Sequence, residues 1–195
     1  MSDFASSETC LNLMRAFAGE SQARTRYSLY AKVAHKEGLI EIHNVFNETA
    51  HNELAHANIF FKHLSNRLSQ ASIPVNAEYP TGIKDTLFNL KDAASGEHDE
   101  YTNVYPHFAD VAKREGFIDI ANNFTLIAEI EKLHEERFNH FANELAKETL
   151  FKKSEKVYYK CEHCGYVHLG TTAPKFCPNC LHEQGYFKVV TQPWL

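Results

Sequence analysis

The chain has 195 residues, enough for one large domain or a mid-sized domain with a small appendage, and too few for a multidomain assembly. With 44% hydrophobic and 23% charged residues, eight glycines and six prolines, the composition excludes a disordered or fibrous protein. The formal charge of −5 argues against the clustered basic excess of nucleic-acid-binding proteins.

Four hydrophobic stripes with helical spacing fill the first 150 residues. The stripes run over residues 13–34, 39–60, 83–111 and 117–145. Gly38 and Gly116 stand between stripes, where a glycine commonly ends a helix. Pro74, Pro80 and Gly82 mark a longer crossing segment between the second and third stripes. Two tight turns and one crossing segment predict a four-helix bundle.

An internal repeat relates the two halves of this region. Residues 30–56 align without a gap on residues 108–134, so that Glu53 falls on Glu131 and His56 on His134. Tyr27 and Tyr105 keep the same offset, but Glu20 falls one residue away from Glu97. The third helix is therefore predicted to hold one extra residue between Glu97 and Tyr105, absorbed as a π-bulge, a feature frequent at functional sites.

Glutamate occupies one inward-facing position in every stripe. These positions are Glu20, Glu53, Glu97 and Glu131; Glu100 lies one turn after Glu97, and His56 and His134 each lie three residues after a glutamate. Ionised carboxylates in an apolar core cost several kcal/mol each unless they are compensated, and Arg24 is one candidate counter-charge. Two divalent cations would neutralise four of the five charges, and oxygen with imidazole ligation suits iron or manganese. This is the dinuclear carboxylate pattern of ferritin-like bundles.

The alternative for a single E-x-x-H motif is a solvated helix surface. Two copies in register with an internal repeat, both at core positions, argue against that alternative. The other histidines of the bundle are expected to lie outside the ligand set.

The last 39 residues contain four of the five cysteines in the pattern C-x2-C-x12-C-x2-C. Cys161, Cys164, Cys177 and Cys180 predict a tetrahedral thiolate metal site, with disulfides as the alternative and with both zinc and iron allowed by the spacing. We expect aromatic residues to pack around the metal as a small core. The candidates are Tyr158, Tyr159, Tyr166, Phe176, Tyr186, Phe187 and Trp194.

The density of proline and glycine rises near residue 155, which predicts a boundary between two domains. We expect a bundle over residues 1–149, a short charged linker over residues 150–156 and a cysteine module over residues 157–195. No apolar run reaches the length of about 18 residues that a membrane helix needs, and the acidic first residues do not resemble a signal peptide, so we expect a soluble, cytoplasmic protein.

Taken together, these motifs resemble the rubrerythrins over nearly the whole chain. The resemblance implies a mainly α protein, a ferritin-like four-helix bundle followed by a small rubredoxin-like four-cysteine domain with short β-strands. It implies two non-haem irons, with an oxo bridge as an option, held by Glu20, Glu53, His56, Glu97, Glu100, Glu131 and His134. It also implies that one iron exchanges His56 for Glu100 with redox state, and that Tyr27 and Tyr105 support the ligands by hydrogen bonds. One further iron would be held by Cys161, Cys164, Cys177 and Cys180.

The activity that the resemblance implies is reduction of hydrogen peroxide to water in oxidative-stress defence. Electrons would come from an NAD(P)H-linked reductase or a rubredoxin-type carrier through the four-thiolate iron, within a homodimer in which each module serves the partner's di-iron site. Neither nucleic acid nor a membrane is expected as a partner. Two alternatives remain open at this point: a ferroxidase or iron-storage protein, and a non-enzymatic zinc-ribbon binding module.

Overall fold

The computed structural model describes residues 3–192 and residue 194. Four long helices form a bundle of two helix hairpins joined by the crossing segment. They are α1 (Glu8–Lys36), α2 (Ile40–Arg67), a third helix composed of α3 (Thr86–Asp99), a π-helical segment (Glu100–Val104) and α4 (Tyr105–Glu115), and α5 (Ile118–Ala146). Among the described residues, no helix combines the length and hydropathy needed to cross a membrane.

The helix ends follow from local chemistry. The Ser7 side chain accepts a hydrogen bond from the backbone N–H of Cys10, and Asp85 caps α3 in the same way by accepting from Phe88. Gly38 and Gly116 have φ values of 75° and 90°, the left-handed conformation that glycine tolerates best. The third helix begins at Thr86 rather than at Ile83, because Asp85 supplies the cap and Ile83 is exposed in the crossing segment.

The π-helical segment confirms the predicted extra residue. It covers residues 100–104, between Glu97 and Tyr105, and the helix continues as α4 with Pro106 in its first turn. Pro106 has no backbone N–H to donate, so the wider π turn removes the conflict that a proline would create inside a regular α-helix. The extra residue also restores the register that places Tyr105 on the inner face of the bundle.

Two apolar clusters fill the ends of the bundle. One is built around Tyr27, Phe46 and Phe138, at the end that contains the α1–α2 turn. The other is built around Phe60 and Phe124 at the opposite end. The predicted ligand residues fall between the two clusters along each helix, so the polar site is enclosed by apolar layers above and below.

The C-terminal module is a three-stranded antiparallel sheet in the order β2-β1-β3. Its strands are β1 (Lys152–Cys161), β2 (Val167–Thr172) and β3 (Phe187–Val190). Tyr159 and Phe187 are buried beside the cysteines, as the aromatic pattern predicts. For two of the predicted aromatics the expectation was wrong, because Phe176 is 59% and Trp194 is 76% exposed. The small core around four cysteines is already filled, and a domain of this size covers little apolar surface.

The chain passes from the bundle to the module without a free spacer. Strand β1 begins at Lys152, inside the segment predicted as a linker, and Phe151 packs against both the bundle cluster and the module cluster. The exact domain boundaries stay a prediction. The module rests on the α1–α2 turn, where a Cβ on Gly185 would lie 1.6 Å from the Gly38 carbonyl oxygen. Only a glycine permits this close backbone approach.

Candidate metal centres

Carboxylate and imidazole groups meet in the middle of the bundle in two overlapping sets. Each set offers four ligand atoms within 4.8 Å of one another. The first consists of Glu20, Glu53, His56 and Glu131, and the second of Glu53, Glu97, Glu131 and His134. Glu53 and Glu131 therefore belong to both sets.

The oxygens of these two shared carboxylates divide between the two histidines. His56 Nδ1 lies 2.9 Å from Oε1 of Glu131 and 3.0 Å from Oε2 of Glu53. His134 Nδ1 lies 2.7 Å from Oε2 of Glu131 and 3.2 Å from Oε1 of Glu53. Each shared carboxylate thus presents one oxygen to each half of the site, which is the arrangement of a carboxylate that bridges two metal ions.

The donor atoms are suited to metal ions rather than to hydrogen bonds among themselves. Within the described part of the chain, Glu20 Oε2, Glu53 Oε1, both Glu131 oxygens and His134 Nδ1 are buried without a hydrogen-bond partner. His134 Nδ1 lies at ion-pair distance from oxygens of Glu53 and Glu131 without making a hydrogen bond to them. Buried polar atoms without partners are costly, and cations at those centres would satisfy them.

The charges of the buried side chains also indicate that the site needs cations. Burial, together with the charges of Glu131 and Glu53, raises the pKa of Glu20 and of Glu97 well above the usual range. Burial opposes charge on the histidines, but the neighbouring carboxylates of Glu131 and Glu53 outweigh it and raise the pKa of His56 to about 10 and of His134 to about 9. Without cations the site therefore retains protons, and divalent cations would displace them.

Two buried tyrosines anchor the outer carboxylates. The Tyr27 hydroxyl donates to Glu97 Oε1 at 2.6 Å, and the Tyr105 hydroxyl donates to Glu20 Oε1. Both tyrosines thus contact carboxylates as expected from the sequence, and their support of metal ligands stays a prediction. They fix one oxygen of each carboxylate and leave the other directed at the site.

Glu100 lies beside the site but outside both ligand sets. It is on the π-helical segment, where burial and the charges of Glu131 and Glu53 raise its pKa. Its position next to Glu97 fits the predicted alternation with His56. That exchange stays a prediction, as does the assignment of individual ligands.

The four cysteines form the second centre. Cys161 and Cys180 have their sulfurs 3.7 Å apart, and Cys164 and Cys177 have theirs 3.5 Å apart. Four thiolates bound tetrahedrally at about 2.3 Å would lie about 3.8 Å from one another, close to these values. Each C-x-x-C turn ends on a left-handed residue, Gly165 (φ 78°) or Leu181 (φ 62°).

The thiolate state is favoured at one of these cysteines in particular. A hydrogen bond from the Asn179 side chain and one from the Tyr166 backbone N–H lower the pKa of Cys164 to about 6. A thiolate is the form that binds metal, so this environment prepares the ligand.

A buried ion pair that was not predicted from the sequence lies beside the carboxylates. Arg24, the suggested counter-charge, is exposed, whereas Arg26 is buried and its Nη1 lies 2.5 Å from Asp92 Oδ2. The Tyr30 hydroxyl donates to the same Asp92 oxygen at 2.7 Å. The position of Arg26 next to Tyr27 in the sequence could have indicated this pair. An arginine beside a predicted core residue can reach the interior with its long side chain.

Comparison with known proteins supports both centres. Residues 12–142 match the family model described as Rubrerythrin, and residues 159–188 match the one described as Rubrerythrin, rubredoxin-like domain. The chain is 48% identical to Rubrerythrin-1 of Clostridium acetobutylicum, over 98% of this chain and 99% of that protein. It is 47% identical to Rubrerythrin of Clostridium perfringens over the full length of both chains.

A solved structure shares the whole architecture. Nigerythrin in a mixed-valent state superposes with a TM-score of 0.65 at 27% identity, covering 97% of this chain and 94% of that one. The carboxylate–histidine cluster is thus a ferritin-like di-iron site, and the four cysteines form a rubredoxin-like iron site. The chain belongs to the rubrerythrin family.

Proposed function

We propose that the protein is a non-haem di-iron peroxidase that reduces hydrogen peroxide to water in oxidative-stress defence. The observation that carries this proposal is the pair of carboxylates shared between two sets of ligands, Glu53 and Glu131. Reduction of one peroxide consumes two electrons and two protons and gives two waters. Two ferrous ions held side by side would supply both electrons together and so avoid a one-electron route to hydroxyl radical.

The residues of the chain hold this geometry while the charge of the site changes. Tyr27 and Tyr105 keep Glu97 and Glu20 oriented through their hydroxyl hydrogens. The apolar clusters at both ends of the site exclude bulk water, so that solvent does not compete for the ligand positions. Glu100, on the π-helical segment and outside both sets of ligand atoms, is the carboxylate best placed to exchange with His56.

The four-cysteine iron would transfer electrons to the oxidised di-iron site, one at a time. Its external donor would be an NAD(P)H-linked reductase or a rubredoxin-type carrier. The thiolate ligands support a cytoplasmic location, since reducing conditions keep cysteines from forming disulfides.

The position of the module supports electron transfer between subunits. Cys180 and Ile40 line the same cleft at the α1–α2 turn. Glu53 lies 13 residues further along α2, about 20 Å at 1.5 Å per residue, so the module is far from the di-iron site of its own chain. A homodimer in which each module faces the partner's di-iron site would shorten the path. Distances above about 20 Å between the two kinds of iron throughout the assembly would contradict it.

An apolar stripe on α5 supports the dimer. Leu126, Ile130 and Leu133 are exposed on one face of this helix. The repeat places Glu48, Asn52 and Ala55 at the equivalent positions of α2, where the surface is polar or small. The two halves differ at this face, as expected if only α5 packs against a second copy.

The test compares two oxidants. The fully reduced protein is prepared anaerobically and mixed either with anaerobic hydrogen peroxide or with a solution of dioxygen, and the oxidation of ferrous iron is followed by stopped-flow absorbance. A clear preference for peroxide supports the peroxidase. A clear preference for dioxygen would instead identify a ferroxidase or iron-storage protein, the alternative with the same bundle site.

A further inference from the structure

A cleft of about 680 Å³ opens between α1 and the third helix, beside the di-iron site. Its lining includes Gly19 and Gly96, and it extends to Glu100 and Tyr105. Both glycines directly precede a predicted ligand, Glu20 in one case and Glu97 in the other. The cleft therefore runs over the backbone that carries two ligands and ends at the carboxylate of the π-helical segment.

Neither backbone conformation nor packing explains the glycine at position 19. It lies within α1, where glycine weakens a helix relative to alanine, and its φ is not in the left-handed region. Apart from its chain neighbours and the backbone of its own helix, a Cβ at Gly19 would meet no atom of the described residues within 4 Å, so no packed side chain or neighbouring element requires a glycine there. What this glycine provides is the open space in front of it, which is the cleft.

A second observation shows that the cleft has a polar wall prepared for a ligand. Arg26 lines it, is 8% exposed, and is held by Asp92 and by stacking over the Tyr30 ring. Its Nε has no hydrogen-bond partner among the described residues. The guanidinium Nη2 lies 3.6 Å from the Cβ position of Gly96, so the charge sits next to the ligand-bearing turn.

The crossing segment forms the rim of the cleft. Residues 77–80 line it, and the Tyr79 hydroxyl donates to the Arg15 carbonyl oxygen at 3.5 Å. Burial and the charge of Glu100 raise the pKa of Tyr79, consistent with a phenol that faces this carboxylate. The rim thus joins the crossing segment to α1 at the edge of the cleft.

We propose that this glycine-floored cleft is the route by which hydrogen peroxide reaches the di-iron site, with Gly19 as the residue that keeps it open. The inference rests on the proposed peroxidase function. Peroxide, a small molecule that both donates and accepts hydrogen bonds, fits a cleft with a buried guanidinium on its wall. Gly19 acts by leaving space and touches no reacting atom.

The test fills the cleft without disturbing its walls. In Gly19→Leu the side chain enters open space, so we expect normal helicity and normal iron content. The second-order rate constant for oxidation of the reduced site by hydrogen peroxide should fall by about tenfold or more, whereas Gly19→Ala should change it by less than about twofold. Ala55→Leu, an exposed position on α2, is the matched control for added surface bulk and should react as the unmodified protein does.

A second readout does not depend on turnover. Azide binds ferric iron, and its association with the oxidised protein can be followed by absorbance. Association should slow in Gly19→Leu by a factor similar to that for peroxide. Unchanged association and unchanged peroxide oxidation in a correctly loaded Gly19→Leu protein would overturn the access route.

Two other results are possible: the variant does not load iron, or the unmodified protein does not reduce peroxide. If Gly19→Leu fails to load iron, Ser95→Leu fills the cleft from an exposed position on α3 and must show the same slowing, or the proposal fails. If the unmodified protein does not reduce peroxide at all, the proposed function fails. Azide association in the same variants still decides whether the cleft is the route to the metals.

Discussion

Raising the pH should destabilise the metal-free bundle, because its buried histidines act as the cations of the site. The pKa of His134 rises from 6.5 to about 9 because the neighbouring carboxylates of Glu131 and Glu53 outweigh burial. A group whose pKa is higher in the folded state contributes fully below its unfolded pKa, and the contribution is lost as the pH rises through the folded pKa. The loss therefore falls between about pH 6.5 and pH 9.

The size of the effect follows from the shift. A rise in pKa of about 2.5 at about 1.4 kcal/mol per unit gives a loss of about 3.5 kcal/mol in the free energy of unfolding. His56, whose pKa rises to about 10, contributes in the same direction. The two histidines share the same carboxylates, so their contributions are not additive.

Urea unfolding of the metal-free protein, followed by far-UV circular dichroism between pH 6.5 and pH 9.5, measures this loss. The iron-loaded protein should not show it, because bound cations replace the protons. His134→Gln should flatten the pH dependence, while His63→Gln, outside the ligand sets, should leave it unchanged. A free energy of unfolding that stays constant or increases over this range would refute the electrostatic reasoning.

Three single substitutions test a hydrogen bond, a metal ligand and a backbone conformation. Tyr105→Phe leaves Glu20 Oε1 without its donor and should lower the free energy of unfolding of the loaded protein by about 1.5–3 kcal/mol in urea, whereas Tyr158→Phe in the module should have a much smaller effect. Cys177→Ser should remove the visible absorption of the four-thiolate iron while bundle helicity and bundle iron stay the same, and a retained band would contradict the assignment of this ligand. Gly116→Ala forces a side chain into a left-handed position with φ 90° and should cost about 1–2 kcal/mol in thermal unfolding, so an unchanged melting temperature would count against the strain.

Much of the candidate site could be predicted because its residues break strong patterns. A glutamate at an inward position of a helix is conspicuous, and the repeat doubles the observation for Glu53 and Glu131. The same repeat locates the π-helical segment, since a single-residue shift between Glu97 and Tyr105 has few structural explanations. These inferences use only spacing along helices, which the sequence records directly.

Features that depend on packing between elements could not be read in this way. The Arg26–Asp92 pair joins α1 to α3, and no spacing rule relates these residues. The exposure of Phe176 and Trp194 depends on how much space the module core has left after Tyr159 and Phe187 are buried. The access cleft depends on an open volume, which is a property of neighbouring helices and not of any one segment.

The most direct test of the account follows the four-thiolate iron during one turnover. The fully reduced protein is mixed anaerobically with hydrogen peroxide, and the return of the visible band of oxidised four-thiolate iron is recorded. We predict that the band returns at a rate limited by the bundle site, and that it fails to return on this timescale in Glu53→Ala, which lacks a shared carboxylate. Equal return of the band in both proteins would show that peroxide oxidises the module directly, and would contradict the electron relay between the two centres.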